Sequence, residues 1–350
     1  MKQLFLFSII LIVFMGCETT KKETKTDQFY LKGIISGDFG EQIILKYNQT
    51  SDTAKVENNT FEFRGEIESP SVSKLIFNDE NTSERIYISP NDTIFVEVLI
   101  ENDTIAGQPI ENFFINRISE NSTTELKTKF ESFYNDFEIS KSNRNQLFRL
   151  MDSLIDAHPN HDYLGERLSQ IATDQTLLYD DLQKLYVKFD KNQLYDEDVM
   201  LFKKYLERRK EFQIGNKFPN PELTNIQNEK EKIIDGEAEL TLVQFWTTWC
   251  NNCKMNHEQL EKIYRVYNYK GFEIVDISLN TNKEVWIEKL MENVVPWKNL
   301  IDTKGFTGDL ANDLGIVNLP QNYLLNKQGH ILDININLKE LIIILNSNLK

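Results

Sequence analysis

The chain has 350 residues, enough for two or three compact domains. Hydrophobic residues make up 40% and charged residues 27%, which is ordinary for globular protein. The formal net charge is −15, and this balance argues against a nucleic-acid partner, because phosphate binding needs concentrated Lys and Arg.

The N-terminus has the pattern of a targeting segment. An apolar run from Leu4 to Met15 follows Lys2. A membrane-spanning helix needs about 20 apolar residues, so this run is too short to cross a bilayer. The pattern predicts a cleaved signal peptide over residues 1–16.

The end of this run, Phe14-Met15-Gly16-Cys17, resembles a bacterial lipobox, although leucine is usual where Phe14 stands. The resemblance implies that Cys17 is lipidated after cleavage and that residues 17–28 form a lipidated tether. The protein would then lie in the cell envelope, bound to the membrane through this lipid, facing the periplasm or on the outer membrane. A plain secreted protein or an uncleaved anchor is the alternative.

Residues 29–108 contain short β-type segments separated by turn residues. Apolar and charged residues alternate in 61–64, and Thr93–Val98 has a second strand pattern. Asn58-Asn59 and the segment 89–92 precede these two strands, and their residue types favour tight turns. The pattern predicts a small antiparallel all-β domain, sandwich-like and of unknown function, for which a spacer or docking role is the simplest interpretation.

Residues 109–212 have the character of a helical linker domain. Apolar residues recur there at helical spacing, as in Leu147, Leu150, Met151 and Leu154. His158 and His161 fall between two predicted helices, and no cysteine or further histidine lies near them in sequence to complete a metal site. We therefore expect no metal at this loop.

Residues 213–350 alternate strand and helix patterns. Leu240–Trp246 is an apolar strand, and the helix after it has an apolar stripe formed by Leu260, Ile263, Tyr264 and Tyr267. A second strand, a second helix, a hairpin and a terminal helix follow. This order predicts an α/β layer fold.

The chain contains three cysteines, and the lipobox accounts for Cys17. The other two stand in Cys250-Asn251-Asn252-Cys253, where the apolar strand meets its helix. An exported chain without further cysteines has no disulfide framework, so we expect this pair to be redox-active. The first turn of a helix stabilises a thiolate through its unpaired N–H groups. Cys250, at the exposed end, is the predicted nucleophile, and the more shielded Cys253 resolves the mixed disulfide without a metal or cofactor.

The segment Trp246–Cys253 resembles the TlpA/ResA-like branch of the thioredoxin superfamily, whose members carry a similar aromatic-rich strand before CxxC. The segments Gly215–Pro219 and Gly315–Pro320 match the same layout, so the resemblance covers about residues 213–350. It implies a thioredoxin-like fold and thiol-disulfide oxidoreductase activity in an envelope lipoprotein with an N-terminal β-domain of unknown function.

The resemblance also implies roles for single residues. Pro320 would be a cis-proline beside the CxxC motif, and Leu319 would offer its backbone to a substrate chain; a trans turn proline is the alternative. Trp249 would flank the thiolate and limit water access, unless it is a core aromatic residue. The partners would be exported proteins with thiols or disulfides and a membrane electron donor.

Three positions depart from the family pattern. Asn256 stands where a glutamate commonly acts on the resolving thiol, Glu258 where a proline often follows, and Gln244 where thioredoxin keeps a buried acid. The usual proton acceptors for Cys253 are therefore absent from these positions. His257 lies one helical turn after Cys253 and could accept its proton, although a solvent-facing helix residue is the simpler interpretation.

We expect an envelope oxidoreductase that reduces disulfides of exported proteins, a direction that rests mainly on the resemblance. Two other classes of function remain. One is a non-catalytic, partner-binding envelope lipoprotein with a degenerate thioredoxin-like domain, which the missing acids favour. The other is a metal-binding module with both thiolates as ligands, for which His257 is the only helper near in sequence.

Overall fold

The computed structural model of the protein describes residues 27–37, 39, 42–78, 81–105, 108–190 and 194–349. The predicted signal peptide, Cys17 and the tether up to residue 26 lie outside these residues. Among the helices of the described ranges, none combines the length and the apolar character needed to cross a bilayer.

The first part of the chain forms two four-stranded sheets. Its strands are β1 (Gln28–Ser36), β2 (Gln42–Tyr47), β3 (Thr50–Lys55), β4 (Thr60–Glu66), β5 (Ser71–Ile76), β6 (Ile86–Ile88), β7 (Thr93–Ile105) and β8 (Gln108–Ile118). The strand orders are β4-β1-β7-β8 and β3-β2-β5-β6. Residues of both sheets share one core, in which Leu31, Leu45 and Ile94 are fully buried. The predicted all-β region is confirmed.

Two features of this region differ from the prediction. β1 pairs with β7 in parallel, so the first sheet is not wholly antiparallel. Between β1 and β7 the chain forms the strands of the second sheet and then returns to the first. The alternation of apolar and polar residues within one strand does not indicate which distant strand it will pair with. β8 reaches Ile118, ten residues past the predicted boundary at residue 108. The boundary is predicted there because the composition changes at Pro109. A proline has no backbone N–H to donate, but β8 is an edge strand, where such a residue is tolerated.

Five helices follow in the described residues, and their apolar faces form a single core. They are α1 (Thr124–Tyr134), α2 (Lys141–Ala157), α3 (Asp162–Thr173), α4 (Tyr179–Tyr186) and α5 (Asp196–Arg209). Leu147, Met151 and Leu154 of α2 are buried in this core, as their spacing predicts.

The two histidines between α2 and α3 have structural contacts. His158 is the residue that follows α2, and His161 caps the start of α3 by accepting the N–H of Tyr163 at Nδ1, at 3.3 Å. Burial, assisted by His158, lowers the pKa of His161 to about 4. The His161 imidazole is therefore neutral at ordinary pH, and it serves as a helix cap.

The C-terminal part is a seven-stranded sheet covered by helices. Its elements are β9 (Glu222–Thr224), β10 (Lys230–Lys232), β11 (Leu240–Trp246), α6 (Asn251–Tyr267), β12 (Phe272–Ser278), α7 (Lys283–Glu292), β13 (Lys298–Ile301), α8 (Asp309–Asp313), β14 (Gln321–Asn326), β15 (Ile331–Ile334) and α9 (Leu338–Asn348). The strand order is β10-β9-β13-β12-β11-β14-β15, with β11, β12 and β13 parallel to one another. This is the predicted α/β layer fold.

The central strand β11 positions the cysteine motif. All of its residues are buried, as expected for a strand with helices on both faces. Leu242 packs in the core that contains α6 and α9, whereas Val243 and Phe245 pack in the core that contains α8. Because β11 ends at Trp246, the CxxC motif lies at the carboxyl edge of the parallel strands, where open α/β sheets place their sites.

Candidate active site

The site is built on the turn between β11 and α6. Cys250 is the N-cap residue of α6, and its Sγ accepts the backbone N–H of Cys253 at 3.2 Å. The two sulfur atoms are joined at 2.08 Å, so the structure describes the oxidised couple, whose sulfurs stand in for the thiols of the reduced form. An N–H of the first helical turn that points at Sγ would stabilise a thiolate there. Cys250 therefore occupies the place that a nucleophile requires, and its role stays a prediction.

Both cysteines lie in an apolar cluster that includes the buried side chains of Trp246, Trp286 and Ile301. Cys250 is 6% exposed and Cys253 is fully buried, which is the predicted order of exposure. Apolar surroundings disfavour a thiolate, whereas the helix start favours one. Because Cys250 lies at the helix start, we expect its thiolate to be more stable than that of Cys253.

A buried asparagine that the sequence reasoning missed fixes the turn before Cys250. Asn280 Oδ1 accepts the N–H of Thr248 at 2.9 Å, and its Nδ2 donates to Thr248 Oγ1 at 2.8 Å. The Ser278 hydroxyl donates to the same Oδ1 at 2.9 Å. The available signal was a polar residue directly after an apolar strand, which is too common to identify a site residue.

Trp249 lies on the surface beside the nucleophile. Its side chain is 65% exposed, and its indole stacks on Phe306 with ring centroids 6.3 Å apart. The alternative interpretation as a core aromatic residue is therefore wrong. The indole is thus accessible next to Cys250, and its role towards the thiolate and a substrate stays a prediction.

The segment 314–320, here called the cis-proline loop, connects α8 to β14. The Leu319–Pro320 peptide bond is cis, as predicted. The Leu319 side chain is partly buried and packs against the apolar cluster that contains both cysteines. The structure thus brings the loop and the CxxC motif together, and the role of Leu319 and Pro320 in substrate binding stays a prediction.

His257 is not the solvent-facing helix residue of the simpler interpretation. Its side chain is 13% exposed, and its Nε2 lies 3.1 Å from Oδ2 of the fully buried Asp276. The imidazole also meets the Trp246 indole edge to face, with ring centroids 5.2 Å apart. Burial lowers the pKa of His257, but the facing carboxylate outweighs it, and the pKa is raised above 6.5.

Asp276 is a buried acid that the sequence reasoning missed. The pairing of β11 with β12 places it opposite Gln244, whose Nε2 lies 3.4 Å from Asp276 Oδ1. The position at Gln244 does lack the acid, but the neighbouring strand supplies a carboxylate beside it. The available signal was an aspartate in the middle of the mainly apolar strand pattern Phe272–Leu279, which also contains Glu273 and Ser278.

The described ranges contain no group of three or more His, Cys, Asp or Glu side chains that could hold a metal ion. The structure places the two sulfur atoms at the start of α6, and the His257–Asp276 pair lies against Trp246 of the same apolar cluster.

Two family models match separate parts of the chain. A thioredoxin-like family model matches residues 237–331, which include the CxxC motif and the cis-proline loop. A model for a domain of unknown function matches residues 29–148, which cover the β region and α1 and extend into α2.

Known proteins resemble the C-terminal part. Thiol-disulfide oxidoreductase ResA of Bacillus cereus is 24% identical over 132 residues, which are 38% of this chain and 75% of ResA. Thiol:disulfide interchange protein DsbE of Pseudomonas aeruginosa is 29% identical over 120 residues, or 34% of this chain and 63% of DsbE. The solved structure of a thiol-disulfide oxidoreductase from Bacteroides fragilis is 26% identical, matches 38% of this chain and 98% of that chain, and has a TM-score of 0.35. The C-terminal part of this chain is therefore a thiol-disulfide oxidoreductase domain of the TlpA/ResA-like kind in the thioredoxin superfamily, and it follows a domain of unknown function.

Proposed function

We propose that the protein is a lipid-anchored envelope oxidoreductase that reduces disulfides of exported proteins through Cys250 and Cys253. The observation that carries the proposal is the position of Cys250 at the N-cap of a 17-residue helix, with the N–H of Cys253 directed at its sulfur. Helix-end cysteines of this kind ionise at lower pH than a free cysteine, whose pKa is about 8.5. Such a thiolate is the reactive species in exchange.

The first step is attack by the Cys250 thiolate on one sulfur of a substrate disulfide. A new S–S bond joins Cys250 to the substrate while the S–S bond of the substrate breaks. The released substrate sulfur departs as a thiolate and takes a proton from solvent. Trp249 on the rim and the backbone of Leu319 are the groups proposed to hold the substrate chain during this step.

The second step resolves the mixed disulfide. The Cys253 thiol loses its proton and attacks Cys250 Sγ, which breaks the bond to the substrate and forms the Cys250–Cys253 disulfide. The second substrate sulfur leaves as a thiolate and is protonated. The substrate has then gained two electrons and two protons, and a membrane electron donor of the dithiol class returns the same number to the couple.

In this second step, His257 accepts the proton of the Cys253 thiol. His257 lies one helical turn after Cys253, so both side chains leave the same face of α6. A general base works best with a pKa near the ambient pH. The facing Asp276 carboxylate overcomes the effect of burial and raises the imidazole pKa above 6.5.

The place of the protein in the cell is proposed from the N-terminal sequence. The apolar run that ends in Gly16-Cys17 supports lipidation of Cys17, and lipoprotein processing supplies the several acyl chains that stable anchoring needs. A tethered domain facing the periplasm would meet exported proteins with thiols or disulfides.

The substrate class can be tested by trapping. Cys253→Ser should accumulate mixed disulfides between Cys250 and its substrates, because the resolving thiol is gone. The double variant with Cys250→Ser as well is the matched control, since it has no thiol left in the motif. Exported proteins attached to the single variant and absent from the control would support the proposal. A single variant without adducts above the control would favour the non-catalytic alternative.

The redox direction is tested by equilibration of the couple with a glutathione buffer. A reduction potential near or below about −250 mV would support a reductant, whereas one near about −120 mV would identify an oxidant. Each 30 mV corresponds to about 1.4 kcal/mol for a two-electron couple, so small changes in thiolate stability at the helix start are visible in this measurement.

A further inference from the structure

One turn of the helical region holds the cis-proline loop at both ends. The turn consists of residues 174–176, between α3 and α4. Asn318 Nδ2 donates to Asp174 Oδ1 at 2.8 Å. Gln175 Nε2 donates to the carbonyl oxygens of Leu314 and Gly315, at 3.1 Å and 2.9 Å. The loop that carries the predicted substrate contact is therefore hydrogen-bonded to a different part of the chain.

Apolar contacts place the loop between the helical region and the disulfide. The partly buried Val317 side chain packs against the core of the helices. Leu319, two residues later, packs against the apolar cluster of Cys250 and Cys253. A shift of the 174–176 turn would thus be passed directly to the residue beside the CxxC motif.

The 174–176 turn is itself firmly held. The carbonyl oxygen of Thr176 accepts from Nε of the buried Arg144, at 3.2 Å, and the same guanidinium donates to the carbonyl oxygen of Ile334 at the end of β15. The Tyr134 hydroxyl donates to Asp174 Oδ2 at 3.1 Å. These bonds fix the turn to both α1 and α2 on one side and to the sheet on the other.

Gln175 has an unfavourable backbone conformation in this turn. Its φ is 55°, in the left-handed region that residues with a side chain rarely adopt, and it is only 4% exposed. Such conformations persist where surrounding contacts enforce them, and they are common at functional sites. Glycine would relieve the backbone, but it would lack the amide that bridges Leu314 and Gly315.

We propose that Asp174 and Gln175 are positioning residues for thiol–disulfide exchange with protein substrates. They hold the cis-proline loop so that the backbone of Leu319 can pair with an extended polypeptide next to its disulfide. The helical region, which the sequence predicts to be a linker, then forms one wall of the substrate-binding surface. This inference rests on the proposed function, because it concerns the binding of a protein disulfide at the same site.

The test uses the full chain and exchanges the partners of one hydrogen bond. Asn318→Asp removes the donor and sets a carboxylate against Asp174. The swap variant with both Asp174→Asn and Asn318→Asp rebuilds the bond with donor and acceptor reversed. Asn337→Asp is the matched control, because Asn337 Nδ2 donates to the carbonyl oxygen of Ile139 at 3.1 Å and so joins the same two regions away from the loop.

The readout separates substrate binding from the chemistry of the cysteines. We expect Asn318→Asp to raise KM for a disulfide-bonded peptide by about tenfold, the effect of losing one hydrogen bond to a charged group. Its kcat, its rate with the small disulfide 5,5′-dithiobis(2-nitrobenzoate) and its reduction potential should stay at wild-type values. The swap variant should recover the wild-type KM, and Asn337→Asp should leave every quantity unchanged.

Gln175→Gly provides a second variant, in which the relieved backbone offsets part of the stability lost with the two buried hydrogen bonds. It should raise the peptide KM without changing the rate with the small disulfide. Equal losses with both disulfides, a swap variant that recovers nothing, or the same rise in KM for Asn337→Asp would overturn the inference and leave the proposed function standing. A wild-type chain that exchanges with neither disulfide would refute the proposed function itself, and the inference with it.

Discussion

Replacing Asp276 with asparagine removes the carboxylate that faces His257 while the size of the side chain is kept. Asp276 is fully buried, the His257 side chain is 13% exposed, and Nε2 lies 3.1 Å from Oδ2. Solvent therefore screens this pair only weakly. In the variant, burial acts on the imidazole without an opposing charge and disfavours its protonated form. We expect the His257 pKa to fall from above 6.5 in the wild type to below 6.5 in Asp276→Asn.

The stability of the protein should follow this pKa. In the wild type, the folded-state pKa of His257 is raised above its unfolded value of 6.5, so the folded state binds the proton more tightly. The stability gained is fully present below pH 6.5 and is lost as the pH rises through the folded-state pKa. In the variant, the folded-state pKa of His257 lies below its unfolded value, so protonation of the imidazole opposes folding. Breaking a buried charge pair costs about 3–5 kcal/mol, so wild type and variant should differ by about 3 kcal/mol near pH 5 and by less near pH 9.

Two measurements check this prediction. An NMR titration of the His257 ring proton gives the pKa directly, and denaturant unfolding near the two pH values gives the free-energy difference. Asp235→Asn is the control, because Asp235 faces Lys298 at the surface, at 3.2 Å, and such pairs contribute at most about 1 kcal/mol. An unchanged His257 pKa, or a stability loss in Asp276→Asn that is the same at both pH values, would refute the reasoning.

Four further outcomes follow from the site. Thiolate absorbance in single-cysteine variants should show Cys250 ionising at lower pH than Cys253, because only Cys250 caps α6; the reverse order would contradict the assigned roles. His257→Ala should slow resolution of the mixed disulfide by about a hundredfold while leaving the first attack intact, and equal rates for both steps in mutant and wild type would dispose of a base role. Pro320→Ala should slow exchange with protein disulfides by about tenfold through weaker substrate binding, and an unchanged rate would remove Pro320 from the binding surface. Cys17→Ala should release the protein from the membrane fraction or leave it unprocessed; wild-type mature protein without lipid would rule out the anchor.

The elements around the cysteines could be predicted because their patterns are local. β11 is a continuous apolar segment, since helices cover both of its faces, and α6 shows its buried stripe at helical spacing. The CxxC spacing and its place at the start of a helix identify Cys250 and Cys253 for the same reason. A nucleophile at an N-cap needs only the few residues that follow it in sequence.

The partners of these residues were decided by the tertiary structure. Asp276 reaches His257 because β12 pairs with β11 in one register, and the sequence of β12 alone does not indicate which side chain the aspartate will face. Asp174 meets Asn318 across 144 residues of sequence, where the helical region docks on the cis-proline loop. Local patterns record which face of an element is buried, whereas contacts between elements depend on register and docking, which arise only when distant segments pack against one another.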